Sequence, residues 1–442
     1  MPAEDLLARL RAADVRVWED GGVLRYSAPP GAFTPELRHE VFRRKAELLV
    51  LLRKLTNSVE PSAPSGGPQP GPAATGPRPS GVTPRLHRAV EEFRLRLQRC
   101  GLPMFLAAHG ASGTRDADLA AASPELGGRL ATALDLLVLS RWVPAADAAA
   151  VVPPELVEHL VAEGLAETDR DGLRLPALRL VEHHGQLVFV HAVSWAEVPC
   201  FGYYGPDSAG LGRLLLGARG RCLDLFASTG AQALVMAGTA REVVLVEADT
   251  GMAPVTELNL LLADRFDTAE LIWGDALKVD LGEPFDTVSV NAPMMPSFGL
   301  DLPWRADGGP DGCRILEAGL RRVPLAPHGQ VFADAWLIGS VAHGPSVAWL
   351  ERLARERSWS VTVVPTGSTR LEPGHLDAWA MAETFVGYGA GGSPQSVHDE
   401  LTALWRGTGV DRSFACLVHA RPSDEPGVTV LPGAADGPGW RL

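Results

Sequence analysis

The stretch from Arg221 to Glu247, "RCLDLFASTGAQALVMAGTAREVVLVE", decides the fold of the larger part of this chain. Two short apolar runs, "RCLDLF" and "EVVLVE", lie on either side of the segment "GAQALVMAG". This pattern predicts a strand, a helix and a second strand. Short apolar strands separated by helices are typical of a parallel sheet with helices on both faces. We therefore expect an α/β fold here.

The same alternation continues along the chain. The helix "APVTELNLLLADRF" and the strands "AELIWGD" and "FDTVSVNAP" follow, and "WSVTVVPTG" and "RSFACLVHARP" supply two more strands nearer the C-terminus. In such sheets, ligands bind beyond the carboxyl ends of the strands. The functional residues are therefore expected directly after the strands.

Three acidic residues stand at those strand ends. Asp224 closes the first strand, Glu247 ends the second and Asp275 ends the third. A carboxylate after the second strand can accept hydrogen bonds from both ribose hydroxyls, and groups after the third strand can meet an adenine. Gly230 opens the intervening helix and lets its amides approach a ligand. The spacing predicts a nucleoside site.

At these positions, residues 200–345 resemble class I S-adenosylmethionine-dependent methyltransferases of the HemK/PrmC-like, small-domain group. The family's glycine-rich motif corresponds to residues 224–230, and its NPP(Y/F) motif corresponds to "NAPM" at residues 291–294. The resemblance implies a Rossmann-like sheet and S-adenosylmethionine as cofactor, with no metal. It implies cofactor contacts from Tyr204, Ser208, Asp224, Phe226, Ser228, Gly230, Glu247, Ala248, Asp275, Ala276 and Asn291, and catalytic roles for Asn291, Pro293 and Met294.

Two departures from the family pattern bear on the chemistry. Phe226 and Ser228 replace glycines of the turn. The β-carbon of Ser228 is expected to crowd the cofactor or to require a left-handed backbone; alternatively, the Ser228 hydroxyl binds the carboxylate of the cofactor. Met294 replaces an aromatic ring that stacks on a planar acceptor, so a smaller, non-planar acceptor is expected. Asn291 has an alternative role as a structural turn residue. Asp249 is expected to contact the cofactor or to cap the next helix, and the glycine-rich stretch 308–312 is a candidate for a mobile loop over the site.

The N-terminal residues form a separate unit. Residues 5–13 have a helical pattern, two short strands lie on either side of Gly21-Gly22, and Thr34 begins a second helix. Residues 3–54 resemble the TubC-type N-terminal docking domain of nonribosomal peptide and polyketide assembly lines. The resemblance implies an αββα domain whose hairpin binds the C-terminal tail of an upstream subunit as an added strand. Candidate contacts, which could equally be ordinary solvated charges, are Arg16, Arg25, Arg43, Arg44 and Lys45.

Composition sets the remaining domain boundaries. We predict a docking domain at 1–55, a flexible Pro/Gly-rich linker at 56–83, a helical and winged-helix-like lid subdomain at 84–200, a cofactor-binding domain at 201–425 and a tail at 426–442. The winged-helix-like part carries glutamates where a DNA-recognition helix needs basic residues, so a lid or structural role is favoured over DNA binding. His183 and His184 are expected at the surface.

Charge and cysteine content exclude several classes of function. The net charge is −13, and residues 1–55 carry ten Lys/Arg against eight Asp/Glu, so the rest of the chain is strongly acidic. An acidic body disfavours nucleic acid as a partner. The five cysteines include no CxxC pair, and no apolar run approaches a membrane span. We expect a cytoplasmic protein acting on a small-molecule or carrier-bound substrate.

Three functions follow as hypotheses. The first is a methyltransferase that tailors an intermediate or building block of an assembly line, recruited by its docking domain. The second is an enzyme that uses S-adenosylmethionine differently, by cyclising its side chain or transferring a group other than methyl. The third is a non-catalytic assembly-line adaptor.

Overall fold

A computed structural model describes residues 6, 16–20, 23–27, 81–109, 119, 123–191, 202–297, 300, 302–371, 376–387, 393–408 and 410–433. The chain divides into two compact units, Met1–Gln69 and Pro70–Leu442. Each unit is described separately.

The first unit contains an antiparallel hairpin at the predicted position. Strands β1 (Arg16–Asp20) and β2 (Val23–Ser27) pair so that Arg16 lies opposite Ser27. The predicted helices, with Arg43, Arg44 and Lys45, lie outside the described residues, except that Leu6 is helical.

The second unit begins with a helical subdomain. Helix α1 starts after Thr83, whose Oγ1 accepts a hydrogen bond from the Leu86 amide at 3.1 Å, and the proline at its first position needs no amide partner. The elements of this part are α1 (Pro84–Cys100), α2 (Leu102–His109), α3 (Gly128–Leu137), β3 (Val143–Pro144), α4 (Ala145–Val151), α5 (Pro154–Ala162), β4 (Glu167–Thr168), β5 (Gly172–Arg174), β6 (Leu178–His183) and β7 (Gln186–His191). Strands β3, β5 and β4 form an antiparallel sheet in which β3 precedes α4 and α5 and the β4–β5 hairpin follows them, a winged-helix-like order.

The rest of the second unit builds one large sheet. Its elements are α6 (Pro206–Leu215), β8 (Arg221–Leu225), α7 (Ala231–Met236), β9 (Glu242–Glu247), α8 (Ala253–Leu262), β10 (Ala269–Trp273), β11 (Phe285–Val290), α9 (Arg314–Arg322), β12 (Leu325–Ser340), β13 (Gly344–Pro345), α10 (Ala348–Arg357), β14 (Trp359–Arg370), α11 (Leu376–Gly387), α12 (Pro394–Thr408), β15 (Arg412–Pro422) and β16 (Gly427–Val430). A short 3₁₀ turn, Thr250–Met252, precedes α8.

The strand order confirms the Rossmann-like α/β sheet. The order is β10-β9-β8-β11-β12-β15-β14-β16, with β13 paired to β12. The five strands β10, β9, β8, β11 and β12 run parallel to one another. Strand β15 runs antiparallel to both β12 and β14. The chain moves outward from β8 to β10 and then returns to the other side of β8 with β11. This reversal opens a crevice at the carboxyl ends of β8 and β11, where ligands bind in sheets of this kind.

Apolar side chains cover both faces of the sheet. On one face, residues of α9 and α10 such as Leu320 and Leu353 are buried against the strands, and on the other face Leu211 of α6 and Leu234 of α7 are buried. Continuous burial on both faces explains why the central strands are apolar throughout instead of alternating.

Helix α8 joins the sheet to the helical subdomain. Its residues Val255 and Leu258 belong to the same buried cluster as Phe93 of α1 and Phe189 of β7. Asn259 reinforces the contact, since its side chain accepts from the Phe189 amide at 2.7 Å and donates to the Phe189 carbonyl at 2.9 Å. The parts predicted as 84–200 and 201–425 therefore share one hydrophobic core.

No helix within the described ranges has both the length and the apolar character needed to cross a membrane.

Candidate functional site

A cavity of about 400 Å³ opens at the carboxyl ends of β8, β9 and β11. This volume lies within the range of small-molecule sites, roughly 300–1,000 Å³. Most of the residues predicted from the sequence line it: Ser208, Phe226, Ser228, Glu247, Ala248, Ala276, Asn291, Pro293 and Met294. Four other predicted residues, Tyr204, Asp224, Gly230 and Asp275, are absent from its lining.

The turn after β8 has a left-handed backbone at three positions. The φ angle is 74° at Phe226, 50° at Ser228 and 81° at Gly230. This conformation costs a residue with a β-carbon roughly 1–2 kcal/mol, so it persists only where tertiary contacts hold it. Here the Ser228 amide donates to Glu247 at 2.7 Å, and its carbonyl accepts from Thr256 at 2.7 Å. The left-handed backbone expected for Ser228 is present.

Glu247 links this turn to the end of β9. One of its carboxylate oxygens accepts from the Ser228 amide, and the other accepts from the Asp249 amide at 2.6 Å. Its side chain lines the cavity with 9% of the residue exposed. Burial raises the pKa of Glu247, while the two amide hydrogen bonds act in the opposite direction. The carboxylate is thus fixed at the cavity wall with both oxygens oriented by backbone amides.

Asp224 lies under the turn and not in the cavity wall. It is 1% exposed, and its Oδ2 accepts from the Ala233 amide in the first turn of α7 at 3.0 Å. Burial raises the pKa of Asp224 to about 7, against the hydrogen bond from the Ala233 amide. The geometry makes Asp224 a residue that positions α7 relative to β8.

The remaining three predicted residues outside the lining have structural partners. Gly230 is the N-cap of α7. Tyr204 meets the buried His183 through its hydroxyl at 2.9 Å. Asp275 accepts from Lys278 at 2.9 Å; burial pushes the pKa of Asp275 up, but the bonds from Lys278 and the Leu277 amide outweigh it and hold that pKa below its usual value.

The "NAPM" segment connects three elements at the cavity. Asn291 Nδ2 donates to Ser208 Oγ on α6 at 3.4 Å, and Gln232 of α7 donates to the Ser208 carbonyl at 2.7 Å. The segment after it is closely packed. A β-carbon at Gly312 would lie 2.6 Å from the Met294 carbonyl oxygen. The glycines expected in a mobile loop therefore allow close backbone packing beside Met294.

Arg305 was not predicted as a lining residue because its partner is distant in sequence, whereas Asp249 was expected to contact the cofactor or to cap the next helix. Asp249 caps the following turn through the Gly251 amide at 3.1 Å, and its carboxylate also pairs with Arg305 at 2.6 Å. The Arg305 guanidinium lies 4.9 Å from the ring centroid of Trp304. Tyr203, the neighbour of the predicted Tyr204, lines the cavity and donates to Asp207 at 2.7 Å. The sequence signal for this part of the wall is the stretch "YYGPDS" at residues 203–208, which contains the predicted Tyr204 and Ser208.

The prediction of surface histidines is wrong for His183. It is 1% exposed, because the β6–β7 hairpin packs its tip on α6, where Gly212 leaves room for the ring. His184 contacts the Ala209 carbonyl at 2.7 Å. Burial lowers the pKa of His183 to about 3, so its ring is neutral. In the part of the chain that the structure describes, no three His, Cys, Asp or Glu side chains are grouped to hold a metal ion.

The N-terminal unit matches a known family. Residues 4–54 match the TubC N-terminal docking domain, which confirms the resemblance found in residues 3–54. No curated protein is similar enough in sequence to match this chain.

Three solved structures are examples of what this chain is similar to. Trm5b from Pyrococcus abyssi is 12% identical, with 58% of this chain and 62% of that chain covered and a TM-score of 0.35. A putative methyltransferase from Bacillus halodurans C-125 is 15% identical over 50% of this chain and 100% of that chain, with a TM-score of 0.33. TYW2 from M. jannaschii, in complex with AdoMet, is 10% identical over 56% of this chain and 89% of that chain, with a TM-score of 0.34. Similarity at this level carries no statement about the activity or substrate of this chain.

Proposed function

We propose that this chain is an S-adenosylmethionine-dependent methyltransferase that tailors an intermediate or building block of a nonribosomal peptide or polyketide assembly line. The observation that carries the proposal is the position of Glu247: a buried carboxylate that ends β9 and lines a cavity beside the β8 turn. A ribose diol placed there would donate to a carboxylate whose geometry two backbone amides already fix.

The residues around Glu247 fit this cofactor. Ala248 and Ala276 follow β9 and β10 and give the cavity a small apolar surface for an adenine ring. Phe226 and Ser228 lie at the N-terminal side of α7, where the methionine part would pass toward α6. We propose that Asp224, Gly230 and Asp275 stabilise the walls of the cavity through the contacts described above. Tyr204 would stabilise the position of α6 in the same way.

Asn291, Pro293 and Met294 would face the reacting group. When bound, the cofactor supplies an electrophilic methyl group on a sulfonium, so the protein has to orient the acceptor and exclude water. The Asn291 side chain and the Pro293 carbonyl offer acceptors for an N–H or O–H group. Met294 adds an adaptable apolar wall and no flat surface, which suits a non-planar acceptor.

Recruitment belongs to the N-terminal unit. The TubC match supports binding of the C-terminal tail of an upstream assembly-line subunit by residues 1–55. Within the described residues, the sheet of this unit consists of β1 and β2. The backbone peptide groups at the edge of such a hairpin can pair with an added strand. Arg16 and Arg25, which belong to these strands, are the proposed partners of acidic side chains in such a tail.

Calorimetry with S-adenosylhomocysteine tests the cofactor assignment. We expect saturable binding at one site per chain. Absence of binding to either S-adenosylhomocysteine or S-adenosylmethionine would contradict both enzymatic functions and leave the adaptor as the explanation.

Met294 also favours a second candidate, in which the cofactor's own side chain is the reacting group. The two enzymes leave different products: methyl transfer gives S-adenosylhomocysteine, and attack on the side chain gives methylthioadenosine. Incubation of the protein with S-adenosylmethionine and its upstream carrier, followed by chromatography of the nucleosides, decides between them.

A further inference from the structure

Asp334 of β12 is a buried acid that has no hydrogen-bond partner among the residues that the structure describes. It is 0% exposed, and this holds for both of its carboxyl oxygens. A carboxyl group removed from water in this way costs several kcal/mol unless another group compensates it. Such a residue calls for a ligand or a function.

The register of the sheet places Asp334 beside the catalytic candidates. Val290 of β11 lies opposite Ala333 of β12, so the next residues along the two strands are Asn291 and Asp334. Ala333 belongs to the buried cluster on the α9–α10 face, and side chains alternate along a strand. Asp334 therefore points to the opposite face, where α6 packs against β12. The next two residues of the strand, Ala335 and Trp336, line the cavity.

A second buried acid lies on α6 near Asp334. Asp207 lines the cavity, is 7% exposed and accepts from the Tyr203 hydroxyl at 2.7 Å. Burial raises the pKa of both carboxyls, and the charge of Asp207 raises the pKa of Asp334 further. Among the described residues, no Lys, Arg or His forms an ion pair with either acid. Two carboxyl groups are thus held near each other with no basic side chain beside them in the described part of the chain, and each disfavours the ionisation of the other.

We propose that Asp207 and Asp334 form a binding site for an alkylammonium group in the cavity, with Asp207 as the direct contact and Asp334 as a second carboxyl group behind it. The inference rests on the proposed function, because the two sources of such a group are the amino-acid end of the cofactor and an amine on the acceptor. Both sources present the same chemistry to the pair.

The surroundings favour an ammonium group over a metal ion or an anion. The charged residues of the lining are Asp207, Glu247, Asp249 and Arg305, and Arg305 is already paired with Asp249. Three carboxyl groups against one guanidinium favour a cationic group over a phosphate. Trp336 and Met294 make the adjacent wall apolar. Hydrated Mg²⁺ gives up water reluctantly, whereas an alkylammonium group brings an apolar chain and can lie over an aromatic ring.

Calorimetry on the full chain tests the first source. The variants are Asp207→Asn and Asp334→Asn, with the exposed Asp424→Asn as matched control. The probes are S-adenosylhomocysteine, which carries the amino group, and 5′-methylthioadenosine, which lacks the amino acid. If the pair holds the cofactor's ammonium, both variants bind S-adenosylhomocysteine at least about tenfold more weakly and bind 5′-methylthioadenosine like the wild type.

Thermal unfolding tests the second source. If the pair holds an acceptor amine, the affinity for S-adenosylhomocysteine stays unchanged, and n-butylammonium raises the Tm of the loaded wild type and of Asp424→Asn but not of the two site variants. Neutral n-butanol is the control probe.

Three results would overturn the inference: equal weakening of both nucleosides, no effect in either experiment, or a Tm increase with MgCl₂ that matches the one with n-butylammonium. A wild type that binds no S-adenosylhomocysteine would defeat the proposed function instead. The n-butylammonium experiment on the unliganded protein then decides the inference alone.

Discussion

Ser228 and Phe226 hold the same unfavourable backbone for different reasons. Ser228 has a φ of 50° and uses its backbone groups to hold Glu247 and Thr256. Phe226 has a φ of 74°, and its ring lies close enough to α9 that a β-carbon at Gly319 would be 3.2 Å from it. Only the second residue needs its side chain for packing.

The substitution Ser228→Gly is therefore expected to stabilise the protein by about 0.5–1 kcal/mol. Glycine removes a strain of roughly 1–2 kcal/mol but adds conformational freedom to the unfolded chain. Phe226→Gly, the matched variant, should destabilise by about 2 kcal/mol because the lost packing exceeds the relieved strain. Urea denaturation of both variants measures the two signs, and a loss of stability in Ser228→Gly would show that its hydroxyl has a structural role.

Glu247→Gln separates the charge of this side chain from its shape. The amide keeps one acceptor for the turn but places a donor against a second backbone N–H, and it weakens the bonds to a ribose diol. We expect S-adenosylhomocysteine to bind at least about tenfold more weakly by calorimetry. The control is Glu351→Gln on the exposed side of α10. Unchanged affinity would remove Glu247 from the cofactor site.

Asp224 gives the stability of the protein a defined pH dependence. Its pKa is about 7 in the folded chain against an ordinary value of 3.8. Because the folded state binds the proton more tightly, stability is fully present below about pH 4 and is lost as the pH rises toward 7. The loss is roughly 4 kcal/mol at most, from about three pKa units at about 1.36 kcal/mol each. Asp224→Asn should flatten this part of the stability profile in urea titrations from pH 4 to 8, and an unaltered slope would contradict the assignment.

At the residue scale, sequence predicted the positions after the strands but not what each side chain does there. Glu247 could be predicted because its separation from Asp224 along the sequence corresponds to one turn, one helix and one strand. Arg305 and Trp336 could not, because their place in the wall depends on contacts across dozens of residues. The burial of Asp224 likewise follows from α7 packing over it, which no local pattern encodes.

At the scale of elements, the strands around β8 were predictable because each is a short apolar run with clear ends. The shared core of α8 and the helical subdomain was not, since an apolar helix in the sequence does not reveal which surface it meets. Helix α6 illustrates the same limit: it bears Asp207 and Ser208, but its position depends on the histidines of the β6–β7 tip.

Gly212→Ala tests whether that tip sets the position of α6. A β-carbon there would lie 2.6 Å from the His183 ring and 2.7 Å from the His184 ring. We expect a loss of about 1–3 kcal/mol in denaturant unfolding and weaker binding of S-adenosylhomocysteine, because the helix must shift. Gly217→Ala is the matched control, since a β-carbon at Gly217 meets nothing within 4 Å. Equal behaviour of the two variants would show that α6 is held from elsewhere.

At the scale of the whole molecule, the proposed recruitment and the proposed chemistry belong to two different compact units. The candidate cofactor site lies entirely in Pro70–Leu442, and the TubC match lies entirely in Met1–Gln69. A docking unit on a tether is not needed for cofactor binding in this proposal. By holding the upstream subunit, it raises the effective concentration of the substrate at the enzyme. The division predicts that binding of cofactor and delivery of substrate can be lost independently.

Deletion of residues 1–55 tests this independence. The shortened protein should bind S-adenosylhomocysteine with unchanged affinity and should act on an upstream-subunit-bound substrate at least about tenfold more slowly at low concentration, because the effective-concentration gain of tethering is lost. Raising the concentration of the substrate subunit should restore the rate, since only encounter is impaired. Arg16→Glu with Arg25→Glu in the full chain should reproduce the slow reaction through repulsion of an acidic tail, with Arg170→Glu as the exposed control. A shortened protein that modifies the tethered substrate at the full rate would show that the docking unit serves another partner.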